Sequence, residues 1–383
     1  MPDAGTVLIY AIHRTDDWWR FVGRHLGFER SVVVSDIRGA GDVSVVDDFY
    51  SEYRRQRRSA RPGKGLLGDA LVAEVIARCR LLRWLPDVQA RSMVQAMAWA
   101  FDRVLERERP RVVVSFPIDR YVSDVLERLA CARGIPYYEL TASLVSGQAM
   151  LLYRGQLVTG PAEPDPALVA ATVEQVAAPT FTPSYVAGRS RYTVARFLRT
   201  FGYFRIRGWG FRLISYLKRD PLSLHYLDAQ AFLGHKPRLS DLRIVQLVDR
   251  GWREALGRFP REKRIFVGLT LFPEASIDYW VENLELIDYE NLIVEVAEVF
   301  SGAGYLVLVK DHPLQFGFRQ CGLIDRLRKI PGVRIVPYDV SGNEVLGECG
   351  VNFTLTGTLG LQAALAGLVS ISARAYYANE QDF

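Results

Sequence analysis

VLVKDHPLQFGFR, Val307–Arg319, opens as an apolar run and changes within one residue to Lys310, Asp311, His312 and Pro313. A run of aliphatic residues without polar alternation marks a strand buried on both faces, as in a parallel sheet covered by helices. Pro313 stops such a strand, because it has no N–H for the ladder. The charged residues and the histidine therefore stand at the strand's carboxyl end. That is the edge at which open α/β sheets take their ligands.

The same rhythm repeats on either side. Arg264–Leu269, Tyr305–Val309, Val333–Val336, Val351–Leu355 and Val369–Ile371 read as strands. Helical stretches separate them at Tyr289–Phe300, Gly322–Lys329, Asn343–Glu348 and Gly360–Ala366. In the first half, Thr6–Ile12, Ser31–Ser35, Val43–Val46, Arg111–Phe116 and Pro136–Leu140 read as strands. Helices are expected at Trp18–Leu26 and Tyr121–Arg133, with a helical zone over 65–108. Short strands alternating with helices predict α/β architecture with two doubly wound units. The expected division is 1–160, a connecting region 161–262, and 263–383.

A chain of 383 residues, 49% hydrophobic and 24% charged, has the length for two domains and a globular composition. No apolar run approaches the ~18 residues of a membrane span. MPDAGTVLIYAIHR lacks a basic start followed by a long apolar stretch, so a cytoplasmic protein is expected. Cys79, Cys131, Cys321 and Cys349 are scattered, which argues against zinc and against disulfides. The net charge of +5 is modest, so its distribution matters more than its total.

That distribution is uneven. Tyr185–Arg219 holds Arg189, Arg191, Arg196, Arg199, Arg205, Arg207, Arg212, Lys218 and Arg219, and no acid lies between Glu174 and Asp220. Aromatic residues, Trp209 among them, are interleaved. The pattern fits a helical connection packed on its neighbours. It also fits the surface of an anionic membrane, with Arg205, Arg207, Trp209 and Arg212 at headgroup level. Nucleic acid is a third reading, and no nucleic-acid-binding motif accompanies the patch.

Three turns carry the candidate chemistry. Lys310 and His312 offer positive charge and a donor to a phosphate, with Pro313 stiffening the turn. The alternative is a histidine that merely caps its own turn. TLTGTLGLQAAL, Thr354–Leu365, places Thr356, Gly357 and Thr358 between a strand and a helix, where peptide N–H groups can meet an anion. Thr358 as a plain helix cap is the other reading. In LFPEAS, Leu271–Ser276, Glu274 could accept from a ribose or sugar hydroxyl, or simply favour a helix start.

PEAS (273–276), YENLIVEV (289–296), LVKDHP (308–313) and TLTGTLGLQAAL (354–365), in this order and spacing, resemble the bacterial capsule polysaccharide biosynthesis glycosyltransferase family. That family includes transferases of Kdo, an acidic eight-carbon sugar. The His-Pro pair and the later Ser/Thr turn are also similar to those of bacterial sialyltransferases, GT-B enzymes that use CMP-activated sugars. The resemblance covers roughly 264–373 and is weaker before it, where IDRYVSDVLERLA (118–130) is the familiar part. It implies a GT-B-like fold of two Rossmann-like domains facing a cleft, acceptor domain first and donor domain last. It implies that His312, Thr356 and Thr358 hold a nucleotide phosphate, with Pro313 in support. It further implies a CMP-linked donor such as CMP-Kdo, a lipid-linked or growing glycan as acceptor, and work at the inner membrane face. GT-B chains usually finish with a segment returning to the N-terminal domain, whereas this one ends at YYANEQDF, soon after the last expected strand.

Transfer to a hydroxyl needs a stabilised leaving phosphate, which fits His312 and Lys310, and in an inverting enzyme a base. Asp119 after RVVVSF, and Asp47 or Asp48 after VSVV, follow expected strands and are the candidates for that base. No separated DxD motif of the metal-binding kind occurs, so metal-independent transfer without a cofactor is expected. Two rivals stand beside this reading. One is a UDP-N-acetylglucosamine 2-epimerase, whose later turn resembles DSGG followed by paired glutamates; here Gln362 and alanines occupy that place. The other is a non-catalytic, membrane-docked scaffold.

Overall fold

The computed structural model describes residues 5–58, 65–145, 147–160, 163–178, 181, 192–219, 222, 238–271 and 274–375, apart from the side chains of Phe204 and Arg212. Arg189, Arg191 and Pro273 thus lie outside the described residues. The chain divides into two compact units. One is Met1–Thr141 with Met150–Arg154 and Gly208–Gly234; the other is Ala142–Ala149 with Gly155–Arg207 and His235–Phe383. Residues of the expected connecting region fall in both.

The first unit is built on β1 (Thr6–Ala11), β2 (Arg30–Ser35), β3 (Val43–Ser44), β4 (Val112–Ser115), β5 (Tyr137–Ala142) and β6 (Ala149–Tyr153), in the order β3-β2-β1-β4-β5-β6. β1 is central and pairs in parallel with β2 and with β4. Val7–Ala11 are fully buried, as expected of a strand covered on both sides. Val7 and Ile9 share a cluster with Trp19 of the helix Asp16–His25. The expected strand Val43–Val46 is cut short, because the helix Val46–Arg58 begins there. Asp47 and Asp48 fall in its first turn, where carboxylates favour the helix dipole. The strand β6 was not foreseen.

After a short β7 (Gln156–Leu157), the second unit contains β8 (Arg264–Gly268), β9 (Leu306–Lys310), β10 (Val333–Val336), β11 (Val351–Thr354) and β12 (Val369–Ser372). The sheet order is β10-β9-β8-β11-β12, with every pair parallel. Successive side chains of a strand go to opposite faces. Val307 and Val309 join Ile265, Val267 and Ile293 on one face, while Leu306 and Leu308 join Phe266, Val345 and Leu346 on the other. Each such side chain contributes on the order of 1.5–3 kcal/mol by leaving water. The α/β class with two doubly wound units, in which β3-β2-β1-β4-β5 and β10-β9-β8-β11-β12 run parallel, is the one the sequence predicts.

Candidate functional site

In the second sheet the strand order reverses direction between β8 and β11, so the ligand edge lies at the carboxyl ends of β8, β9 and β11. The sequence-predicted residues of this half end or follow those strands, and hydrogen bonds tie their loops together. Asp311, just beyond β9, is buried and receives Arg319 at 2.7 Å and the Tyr338 hydroxyl at 2.5 Å. Arg319, fully buried, also donates to the Thr270 carbonyl beyond β8 at 3.0 Å. Ser276, farther along the same loop, shares a 2.7 Å hydrogen bond with Thr356 beyond β11. The β8 loop is thereby fastened to the β9 loop on one side and to the β11 turn on the other.

Lys310 ends β9 and is buried, with Nζ 3.2 Å from the Asp311 carbonyl. Burial pulls its pKa down to about 8, against the opposing pull of Asp311 and Asp339. His312 Nδ1 accepts from the Leu314 N–H at 3.2 Å, so the histidine does cap the turn that Pro313 begins. An imidazole that accepts at Nδ1 carries its proton on Nε2, which leaves that nitrogen a donor. Burial lowers the His312 pKa, Asp311 opposes this, and Lys310 and Arg319 add to it. The ring is therefore a neutral donor beside a lysine, and such a pair can serve a phosphate oxygen.

At the β11 turn the roles divide. The Thr356 hydroxyl is buried and engaged by Ser276. The Gly357 N–H donates to Thr354 Oγ1 at 3.2 Å, and a Cβ on Gly357 would stand 2.5 Å from that oxygen. Glycine is thus required by the turn itself. Thr358 makes no side-chain cap bond to the helix Leu359–Leu365, contrary to the plain-cap reading. Glu274 begins the next helical turn, its carbonyl accepting from Ile277 and Asp278.

The first sheet reverses between β1 and β4. His13 follows β1, in the left-handed region at φ 55°, and Asp119 and Arg120 follow β4. Arg120 is buried and grips the Asp119 carboxylate through Nε at 2.8 Å and Nη2 at 2.9 Å. The same Nη2 lies 3.3 Å from His13 Nε2, and Nη1 lies 3.7 Å from Asp36 beyond β2. Burial raises the Asp119 pKa, but Arg120, Arg80 and His13 outweigh it and hold the carboxyl below its ordinary value. Asp119 is thus an ionised carboxylate at a ligand edge. Asp48 is not there: it pairs with Arg103 at 2.7 Å on an exposed helix face, and Asp47 pairs with Arg38. His13, Arg120, Asp36 and Arg319 are the residues that sequence reasoning missed.

Arg205 stacks over Phe201 at 5.1 Å and Arg207 over Tyr203 at 5.6 Å, all on the helix Val194–Leu217 that also carries Trp209 and Arg212. Among the described residues no group of His, Cys, Asp and Glu could hold a metal ion. A groove of about 920 Å³, lined by Arg103, Arg107, Arg109 and Arg133, opens at the amino ends of β4 and β5. It lies away from the ligand edge, and Arg103, Arg107 and Arg133 are spent on Asp48, Glu108 and Asp102.

No family model matches the chain, and no curated protein matches it. Solved structures do resemble it. A structure of Thermosulfurimonas dismutans KpsC, β-Kdo 2,7 transferase, is 12% identical, with 73% of this chain and 70% of that one covered and a TM-score of 0.32. The β-Kdo 2,4 transferase of KpsC from the same organism gives 13%, 71%, 72% and 0.35 in the same terms. The UDP-GlcNAc 2-epimerase of Neisseria meningitidis, bound to UDP-GlcNAc, is 10% identical, covers 97% of this chain and 82% of its own, and has a TM-score of 0.25. Likenesses of this size leave function to the residues themselves.

Proposed function

We propose that the protein transfers a sugar from a nucleotide-activated donor, CMP-linked as in CMP-Kdo, to a lipid-linked or growing glycan of a bacterial surface polysaccharide. The observation that carries this reading is the placement of Lys310 and His312 at the carboxyl end of β9, on the edge where the Ser276–Thr356 hydrogen bond fastens the β8 loop to the β11 turn. Lys310 supplies charge and His312 a neutral Nε2–H donor to the phosphate that becomes the leaving group. Charge that grows there in the transition state meets donors already in place. Thr358 belongs to the same phosphate site, with Gly357 shaping the turn that presents it, and Glu274 takes a ribose or sugar hydroxyl. Asp119, ionised and held by Arg120, is the acceptor-side base. No metal takes part, so a chelator leaves the rate unchanged.

Calorimetric titration with CMP, UDP and GDP, repeated on His312→Ala, tests the reading. Histidine-dependent binding of CMP alone supports a CMP-sugar transferase. A preference for UDP overturns the donor and favours an epimerase. A folded protein that binds none of the three overturns the enzyme reading.

A further inference from the structure

The helix Val194–Leu217 turns apolar side chains outward. Ile206 is 74% exposed, Trp209 75%, Leu213 61%, Tyr216 80% and Leu217 69%. Their spacing of three and four residues places them in one stripe along the helix. Phe197 and Ser215, the buried positions of the same helix, lie on the opposite side. A surface helix normally pairs one apolar face with a polar one. On this helix large apolar residues line the outward side, where a polar face is the rule, so the outward stripe calls for a cover.

Charge decides what the cover is. From Val194 to Arg219 there are seven cations, Arg196, Arg199, Arg205, Arg207, Arg212, Lys218 and Arg219, and no carboxylate. Arg205, Lys218 and Arg219 are exposed. A second copy of the chain docked on the stripe by two-fold symmetry would set these cations against their own images. An anionic bilayer meets both demands. Its phosphates take the arginines, and the boundary between headgroups and acyl chains takes Trp, Tyr, Leu and Ile. No helix of the described residues is long and apolar enough to cross a membrane, so the helix would lie along the surface. We propose that the face formed by Ile206, Trp209, Leu213, Tyr216 and Leu217 docks the protein on an anionic lipid surface, a property that goes beyond glycosyl transfer and does not depend on it.

The test is flotation of the full chain with vesicles of equimolar phosphatidylglycerol and phosphatidylcholine, against phosphatidylcholine alone. Partition should favour the anionic vesicles by at least ~10-fold, and Trp209→Glu with Leu213→Glu should reduce it by a similar factor. Arg205→Glu with Arg207→Glu should remove the preference for anionic lipid. The thermal transition and nucleotide titration of each variant should match wild type, so that docking and nucleotide binding fail separately. Four results overturn the proposal: no partition to anionic vesicles; partition that the apolar variant leaves intact; a dimer in solution that Trp209→Glu dissociates; or oligonucleotide binding through this face with none to vesicles.

Discussion

Ser276 and Thr356 stand 80 residues apart and join their buried hydroxyls at 2.7 Å, fastening the loop after β8 to the turn after β11. Each hydroxyl satisfies the other where water does not reach, so deleting one strands its partner. Ser276→Ala or Thr356→Val is expected to lower unfolding free energy by about 1–3 kcal/mol. The double variant should lose less than the sum, by about 0.5 kcal/mol or more, because both halves of one bond go together. Urea denaturation of the four proteins measures this, and strictly additive losses would show that the bond contributes nothing.

The Arg319–Asp311 pair is of another kind, since both groups are buried. Arg319→Met takes from the buried Asp311 carboxylate its ion-pair partner, leaving the Tyr338 hydroxyl and the His312 N–H as its donors among the described residues. The expected loss is about 3–5 kcal/mol. Asp48→Ala breaks the exposed pair with Arg103 and should cost no more than about 1 kcal/mol. Similar losses for the two variants would contradict the distinction drawn from burial.

How much of this could be read from the chain depended on distance along it. The strands were legible because each is a continuous apolar run, and Lys310 and His312 could be placed because Pro313 marks where β9 must stop. The start of the helix at Val46 was not, since two valines before paired aspartates look like the end of a strand. His13 and Arg120 are 107 residues apart, and nothing local in either segment points to the other. Arg319 likewise gives no local sign that its partners are Asp311 and a carbonyl beyond β8. Order within elements follows from local pattern; partnership between loops exists only once the sheet has set the loops side by side.

Lys310 predicts how nucleotide binding varies with pH. Its folded pKa, lowered to about 8, lies below its ordinary value of 10.5. Between these values the unfolded chain holds a proton that the folded one has released, so this lysine makes the protein more stable as pH rises from about 8 to 10.5. Binding of an anion runs the other way. Nucleotide affinity should fall as pH rises through about 8 and the charge is lost, and Lys310→Met should be weaker and flat over that range. His312, held below its ordinary 6.5, stays neutral at pH 7 and should add no step between pH 7 and 8. Titrations from pH 7 to 9.5 on both proteins decide it; an equal fall in Lys310→Met would assign the proton elsewhere.

Asp119 separates binding from turnover. Its carboxylate is gripped by Arg120 on the ligand edge of the first sheet, whereas the nucleotide site proposed here belongs to the second. Asp119→Asn keeps the shape and loses the proton acceptor. It is therefore expected to slow release of CMP from a CMP-sugar in the presence of acceptor by about 10²–10⁴-fold, with CMP affinity unchanged. Asp48→Asn should be as fast as wild type, because that residue serves a surface ion pair. Since Arg120, Arg80 and His13 hold Asp119 below the ordinary aspartate value of 3.8, the wild-type rate should show no loss from this carboxyl as pH falls from 7 to about 4. An Asp119→Asn protein of full activity would remove the acceptor-side role and leave Asp119 as the counter-charge that Arg120 needs to be buried.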